Sequence, residues 1–154
     1  MEMDTGMSAE QRSTMGGHLA KLLADTYLLY TKTQNFHWNI HGPEFYALHL
    51  LSEKQYEELG EAVDEIAERI RQLGFYVDAT LSGFTKLGSV KENHKVHPKF
   101  ESIMQLIEAQ EVVIKELRKV GNVGEEMHDH ATVDMVGRRL NVHEKALWML
   151  RASL

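Results

Sequence analysis

From Phe45 to Leu73 core-type residues recur every three or four positions without a break: Phe45, Leu48, Ser52, Tyr56, Leu59, Val63, Ile66, Ile70 and Leu73. Only an α-helix gathers positions so spaced onto one face. At 3.6 residues per turn the run is a rod of about eight turns. A rod with a single apolar stripe must bury that stripe against other helices. This segment therefore commits the chain to helix-on-helix packing.

The rest of the sequence supplies the partners. Ser8-Ala9-Glu10-Gln11 has capping-box spacing, and Leu19, Leu22, Leu23, Thr26, Tyr30, Thr33 and His37 form one face of a first helix. It is predicted to stop near Ile40–Gly42, with Pro43 as the first residue of the second helix, which ends at Gly74. Residues 75–97 hold no sustained period and read as a long connection with room for one short helix near Ala79–Lys86. A third helix opens at Pro98, shows Ile103, Leu106, Gln110, Val113, Leu117 and Val120, and is predicted to close at Gly121. Asn122 is then the cap of a fourth, marked by Met127, Ala131, Val136, Leu140, His143, Leu147 and Leu150. Two short connections and one long crossover describe an all-α, ferritin-like four-helix bundle. The expected organisation is one domain over 1–154, with 1–7 as a flexible tail.

Composition closes several alternatives. The 154 residues are 43% hydrophobic and 26% charged, enough for one well-packed core. There is no cysteine, which excludes disulfides, thiolate metal sites and cysteine nucleophiles and suits a reducing compartment, so the cytoplasm is the expected location. No apolar run approaches a membrane span, and the N-terminus lacks a signal-peptide pattern. A formal charge of −6 opposes a dedicated nucleic-acid binder.

The second helix carries chemistry beside its apolar stripe. His49 and Glu53 are four apart, as are Asp64 and Glu68, so each pair shares a face one turn apart. His37 lies six residues before Pro43 and His49 six after, so an antiparallel hairpin sets both imidazoles at one level. Imidazole with carboxylate suits iron, zinc or manganese rather than calcium. The two pairs are about 22 Å apart along the axis, too far for one chain to bring to one metal. Two chains remove the obstacle. In an antiparallel pair of helices about a two-fold axis, facing residue numbers have a constant sum. His49 with Glu68 and Glu53 with Asp64 both add to 117. An axis crossing between Glu58 and Leu59 pairs both sets and makes two identical sites, with His37 completing each. Acidic residues at helical spacing usually form a solvated face, and Glu57, Glu58, Glu61 and Glu65 read that way. A purely structural bundle without metal is therefore the plain competitor.

The stretch from Asn35 to Gly74 resembles the Dps family (DNA-binding protein from starved cells, the mini-ferritins) at His37-Trp38, Gly42, Phe45, Leu48-His49 and Asp64-x-x-Ala67-Glu68-Arg69. The resemblance implies a hollow dodecamer of 23 symmetry with a ferroxidase centre between subunits. It implies oxidation of Fe(II), preferentially by hydrogen peroxide, and storage of the ferric mineral. By position, His37, His49 and Glu53 would come from one subunit and Asp64 and Glu68 from its two-fold mate. The family's common residue at position 53 is Asp; Glu is one methylene longer, which bears on how the second iron is held. Trp38 has two readings, a packing residue of the dimer interface or an electron donor when one iron is oxidised. Asp129 and Asp134 are the candidates for lining an Fe(II) pore, with Glu125, Glu126 and His130 as lesser ones; a solvated helix end explains the same charges. His143 reads as a hydrogen-bonded core histidine, and His94 and His97 as surface residues. Nucleoid binding with minor ferroxidase activity is the rival function. Residues 1–12 hold Arg12 against Glu2, Asp4 and Glu10, so DNA binding is expected to be weak or absent.

Overall fold

A computed structural model describes residues 3–154 of the chain. Ser8 caps the first helix, α1 (Ala9–Asn39), with its side chain accepting from Gln11 N while the Gln11 side chain accepts from Ser8 N, the reciprocal box expected from the sequence. The second, α2 (Phe45–Gln72), starts two residues later than predicted, because Gly42 to Phe45 form a tight turn with Pro43 inside it. Gly74 has a φ of +99° and its amide bonds to Arg71 O while the Phe75 amide reaches Ile70 O. These crossed bonds end α2 and need a residue free to enter the left-handed region. The long connection holds one short helix, α3 (Leu81–Leu87), capped by the Thr80 hydroxyl on Gly83 N.

The last two helices are α4 (Lys99–Glu126) and α5 (His130–Arg151). Here the sequence reading of Gly121 and Asn122 as a break is corrected: both lie inside α4, and Met127 is its C-cap. The true boundary is Asp129, whose side chain accepts from Thr132 N at 3.1 Å as the N-cap of α5. The glycines serve close approach instead of termination. A Cβ on Gly124 would lie 3.0 Å from Val133 Cγ2, and one on Gly121 3.2 Å from Val136 Cγ1, so α5 folds back tightly on α4.

Helices α1, α2, α4 and α5 form the bundle. The main core gathers Met15, Leu19, Leu22, Leu59, Ile66, Val113, Leu117 and Met135, and a smaller one at the hairpin end holds Phe36, Leu48, Ile103 and Leu150. Asp25, fully buried on α1, accepts from the amides of Ser89 and Val90 and pairs with Lys21 at 2.8 Å. A buried carboxylate with three donors is satisfied, and it fastens the crossover to the bundle.

His143 is the hydrogen-bonded core histidine that the sequence suggested. Its Nδ1 lies 2.8 Å from Gln110 Oε1, an acceptor, so Nδ1 carries the proton; Nε2 accepts from Arg139 at 2.8 Å. Arg139 also pairs with Glu58, so one chain of bonds joins α2, α5 and α4. Burial, and then the Arg139 charge, push the His143 imidazole down from 6.5 to about 3. The folded ring stays neutral where the unfolded one takes a proton. Stability from this group is therefore present above pH 6.5 and lost as pH falls towards 3, with a slope of up to about 1.4 kcal/mol per pH unit. Urea denaturation at pH 7 and pH 5 should show His143→Gln losing less stability on acidification than the unaltered protein.

Candidate metal centre

The turn between α1 and α2 sets His37, in the last turn of α1, against His49, near the start of α2. Their rings stack with centroids 3.7 Å apart and planes 18° from parallel. His37 Nδ1 lies 2.9 Å from His49 O, and His49 Nδ1 lies 3.0 Å from His37 O. A carbonyl oxygen can only accept, so both rings carry their proton on Nδ1 and donate it to the other's backbone. Each Nε2 is left with a lone pair and, among the described residues, no hydrogen-bond partner. A ring oriented by its far nitrogen in this way is how imidazole is presented to a metal. Ser52 adds to the support, with Oγ 3.3 Å from His37 Nδ1. Phe45 stacks on His49 at 4.9 Å, and Tyr56 meets His37 edge-on at 5.1 Å. Sequence reasoning gave Ser52 and Tyr56 only places on the helical stripe, and Phe45 a place there and in the family signature; their part at the histidines follows from the hairpin turn.

Glu53, one turn beyond His49, is half-buried. Asp64 and Glu68 are exposed, and among the described residues no hydrogen bond or ion pair holds any of the three carboxylates. Among the described residues no group of three or more His, Asp or Glu side chains is gathered where it could hold a metal. The protomer thus brings His37 and His49 together, with Glu53 one helical turn from His49 along α2, and leaves Asp64 and Glu68 on the far half of α2.

The remaining candidates separate. Trp38 is 68% exposed, so its ring is not packed within the protomer. Asp129, one of the two pore candidates, is buried in the protomer. It accepts from Arg69 Nη2 at 2.7 Å and from the Thr132 hydroxyl at 2.6 Å. Burial raises its affinity for a proton, but the Thr132 bonds and the Arg69 charge outweigh it and hold the carboxyl below its usual range. Its Oδ1 accepts from Arg69 and Thr132 N and its Oδ2 from the Thr132 hydroxyl, so both oxygens are engaged at the start of α5. Asp134 is exposed and shares Arg138 with Glu65. Glu125, Glu126 and His130 are exposed. His94 is exposed and His97 half-buried beside Glu101.

A four-helix bundle with a long crossover, and imidazole and carboxylate donors on its second helix, defines a ferritin-like protein. Residues 17–154 match the model of the ferritin-like domain. The chain is 38% identical to an uncharacterised low temperature-induced protein of Nostoc, across 99% of this chain and 86% of that one. It is 37% identical to the DNA protection during starvation protein of Helicobacter pylori, across 88% of this chain and 95% of that one. The Dps protein of Vibrio cholerae, described as a member of a broad superfamily of ferritin-like diiron-carboxylate proteins, superposes with a TM-score of 0.92 at 29% identity, over 99% of this chain and 96% of that one. The chain belongs to the Dps family of ferritin-like proteins, a family of iron storage and protection.

Arg69, next to Glu68, anchors this half of α2 through Asp129 and Thr132 Oγ1, the latter at 2.9 Å. Arg69→Ala leaves a buried carboxylate without its counter-charge, and thermal denaturation should register a loss of about 3 kcal/mol. Arg69→Lys, which keeps the charge without the planar fork, should recover only part of it.

Proposed function

We propose that the chain is a ferroxidase that oxidises Fe(II), preferentially with hydrogen peroxide, at centres shared between two subunits. The crossed hydrogen bonds of His37 and His49 carry this reading, because they leave two unprotonated Nε2 atoms, with Glu53 one helical turn further along α2. His37, His49 and Glu53 of one subunit hold the substrate iron on one side. Asp64 and Glu68 of the two-fold mate hold it on the other, with the axis crossing α2 between Glu58 and Leu59. Exposed Trp38, Phe45, Tyr46 and Leu50 flank the histidines, an apolar surface of the kind that a subunit contact covers. This supports the packing reading of Trp38.

The ligand set suits the chemistry. Imidazole and carboxylate bind Fe(II) with open positions for the oxidant, and oxygen donors favour the ferric product. Two irons held together let peroxide take two electrons and leave as water. The ferric product is stored as mineral inside a hollow dodecamer, and Asp134, exposed where Asp129 is buried, is the stronger of the two candidates for drawing Fe(II) towards an entry pore. Glu53 brings a longer arm to the second iron than Asp would. The setting is the cytoplasm, where removing Fe(II) and peroxide together protects the cell. A chain of charge −6, repeated in an assembly, repels a phosphate backbone, so nucleoid binding is the weaker reading.

Native mass spectrometry should give twelve times the 17.7 kDa chain, and an active monomer would overturn the shared centre. Complementation tests the sharing itself. His37→Ala and Asp64→Ala should each abolish rapid Fe(II) oxidation. Co-assembled, a mixed pair has one centre with both changes and one with neither, so about a quarter of the centres regain activity under random pairing. No recovery in verified mixed assemblies would place all ligands in one chain and refute the arrangement.

A further inference from the structure

The aromatic ring edge-on to His37 is the start of a row. Tyr56 on α2 lies 5.1 Å from His37, centroid to centroid, and 6.3 Å from Tyr30 on α1. Tyr30 lies 5.8 Å from Tyr27, one turn back along α1. Tyr27 stacks at 4.6 Å on Phe84, the buried residue of α3. All three tyrosines are half-buried, and the Tyr30 hydroxyl accepts from Gln34 Nε2 at 3.0 Å. Rings so close exchange electrons readily. Phenols are oxidised far more easily than the phenyl ring of Phe84, so the row has a defined end at Tyr27. Trp38 is exposed and, among the described residues, stacks on no other aromatic ring.

Resting on the ferroxidase reading, we propose that Tyr56, Tyr30 and Tyr27 form an electron relay that supplies the second electron when peroxide meets a centre holding a single Fe(II). Peroxide needs two electrons and two protons to become two waters. Fe(II) gives one electron and becomes Fe(III). Tyr56 gives the other together with its phenolic proton, solvent gives the second proton, and the O–O bond breaks without releasing hydroxyl radical. Tyr30 then reduces the Tyr56 radical, and Tyr27 reduces that of Tyr30. At each hop the newly oxidised phenol loses its proton to water and the restored one regains a proton. A later Fe(II) returns an electron to the row and becomes Fe(III). Over the cycle two Fe(II), one peroxide and two protons give two Fe(III) and two waters, and the tyrosines are unchanged. The row carries the oxidising equivalent away from the iron ligands, where a radical would destroy the centre.

Rapid-freeze electron paramagnetic resonance tests the relay on the assembled protein loaded with one Fe(II) per centre and mixed with peroxide. A radical signal is expected that narrows when the protein is made with ring-deuterated tyrosine and not with ring-deuterated tryptophan. Tyr56→Phe should abolish the tyrosine signal, whereas Tyr30→Phe should hold the radical at Tyr56 and change its hyperfine pattern. Narrowing with deuterated tryptophan alone, or an unchanged signal in Tyr56→Phe, overturns the relay. So does normal iron oxidation with no radical, which leaves the shared centre standing. Absence of any iron oxidation in the unaltered protein overturns both.

Discussion

The site depends on one exchange of hydrogen bonds across the α1–α2 turn. Each of His37 and His49 gives its Nδ1 proton to the other's backbone carbonyl. The exchange does three things together. It closes the hairpin, it fixes both tautomers, and it leaves both Nε2 lone pairs for a ligand. The carbonyls involved lie near helix ends, and Ile40 N reaches back to Phe36 O to finish α1 immediately afterwards. A change that reorients the turn therefore disturbs fold and chemistry at once.

The rest of the bundle keeps that turn rigid by satisfying polar groups inside it. Asp25 ties down the crossover, the Glu58–Arg139–His143–Gln110 chain joins three helices, and Arg69–Asp129 secures the distal half of α2. Each joins helices or loops through buried or half-buried polar groups, which limits the ways the helices can slide past one another. Arg69 sits beside Glu68, so the feature that anchors α2 also fixes where the Asp64 and Glu68 carboxylates stand.

The proximal and distal donors differ in how they are held. His37 and His49 are locked by hydrogen bonds within the protomer, while Asp64 and Glu68 stand exposed. A preformed nitrogen half and an open carboxylate half suit a centre completed by a second subunit. Placing the donors on helices instead of loops would give such a centre its precision, since a helix holds its side chains in fixed register along its axis.

Periodicity alone was enough to read four long helices and the core positions of α4, because burial of a stripe at 3.6-residue spacing leaves a direct trace in residue order. The level pairing of His37 and His49 was legible too, since a hairpin turning at Pro43 makes it a matter of counting. The boundary near Gly121 was not legible. Glycine marks both helix ends and close helix contacts, and only Val136 against Gly121, with Val133 against Gly124, tells the two apart. The burial of Asp129 was hidden for a related reason. An acidic residue at a helix start looks the same in sequence whether it faces water or is buried against Arg69, and that partner is 60 residues away. Tautomers, burial and the row of tyrosines likewise belong to tertiary structure, because they depend on which side chains meet across helices and not on their order along one.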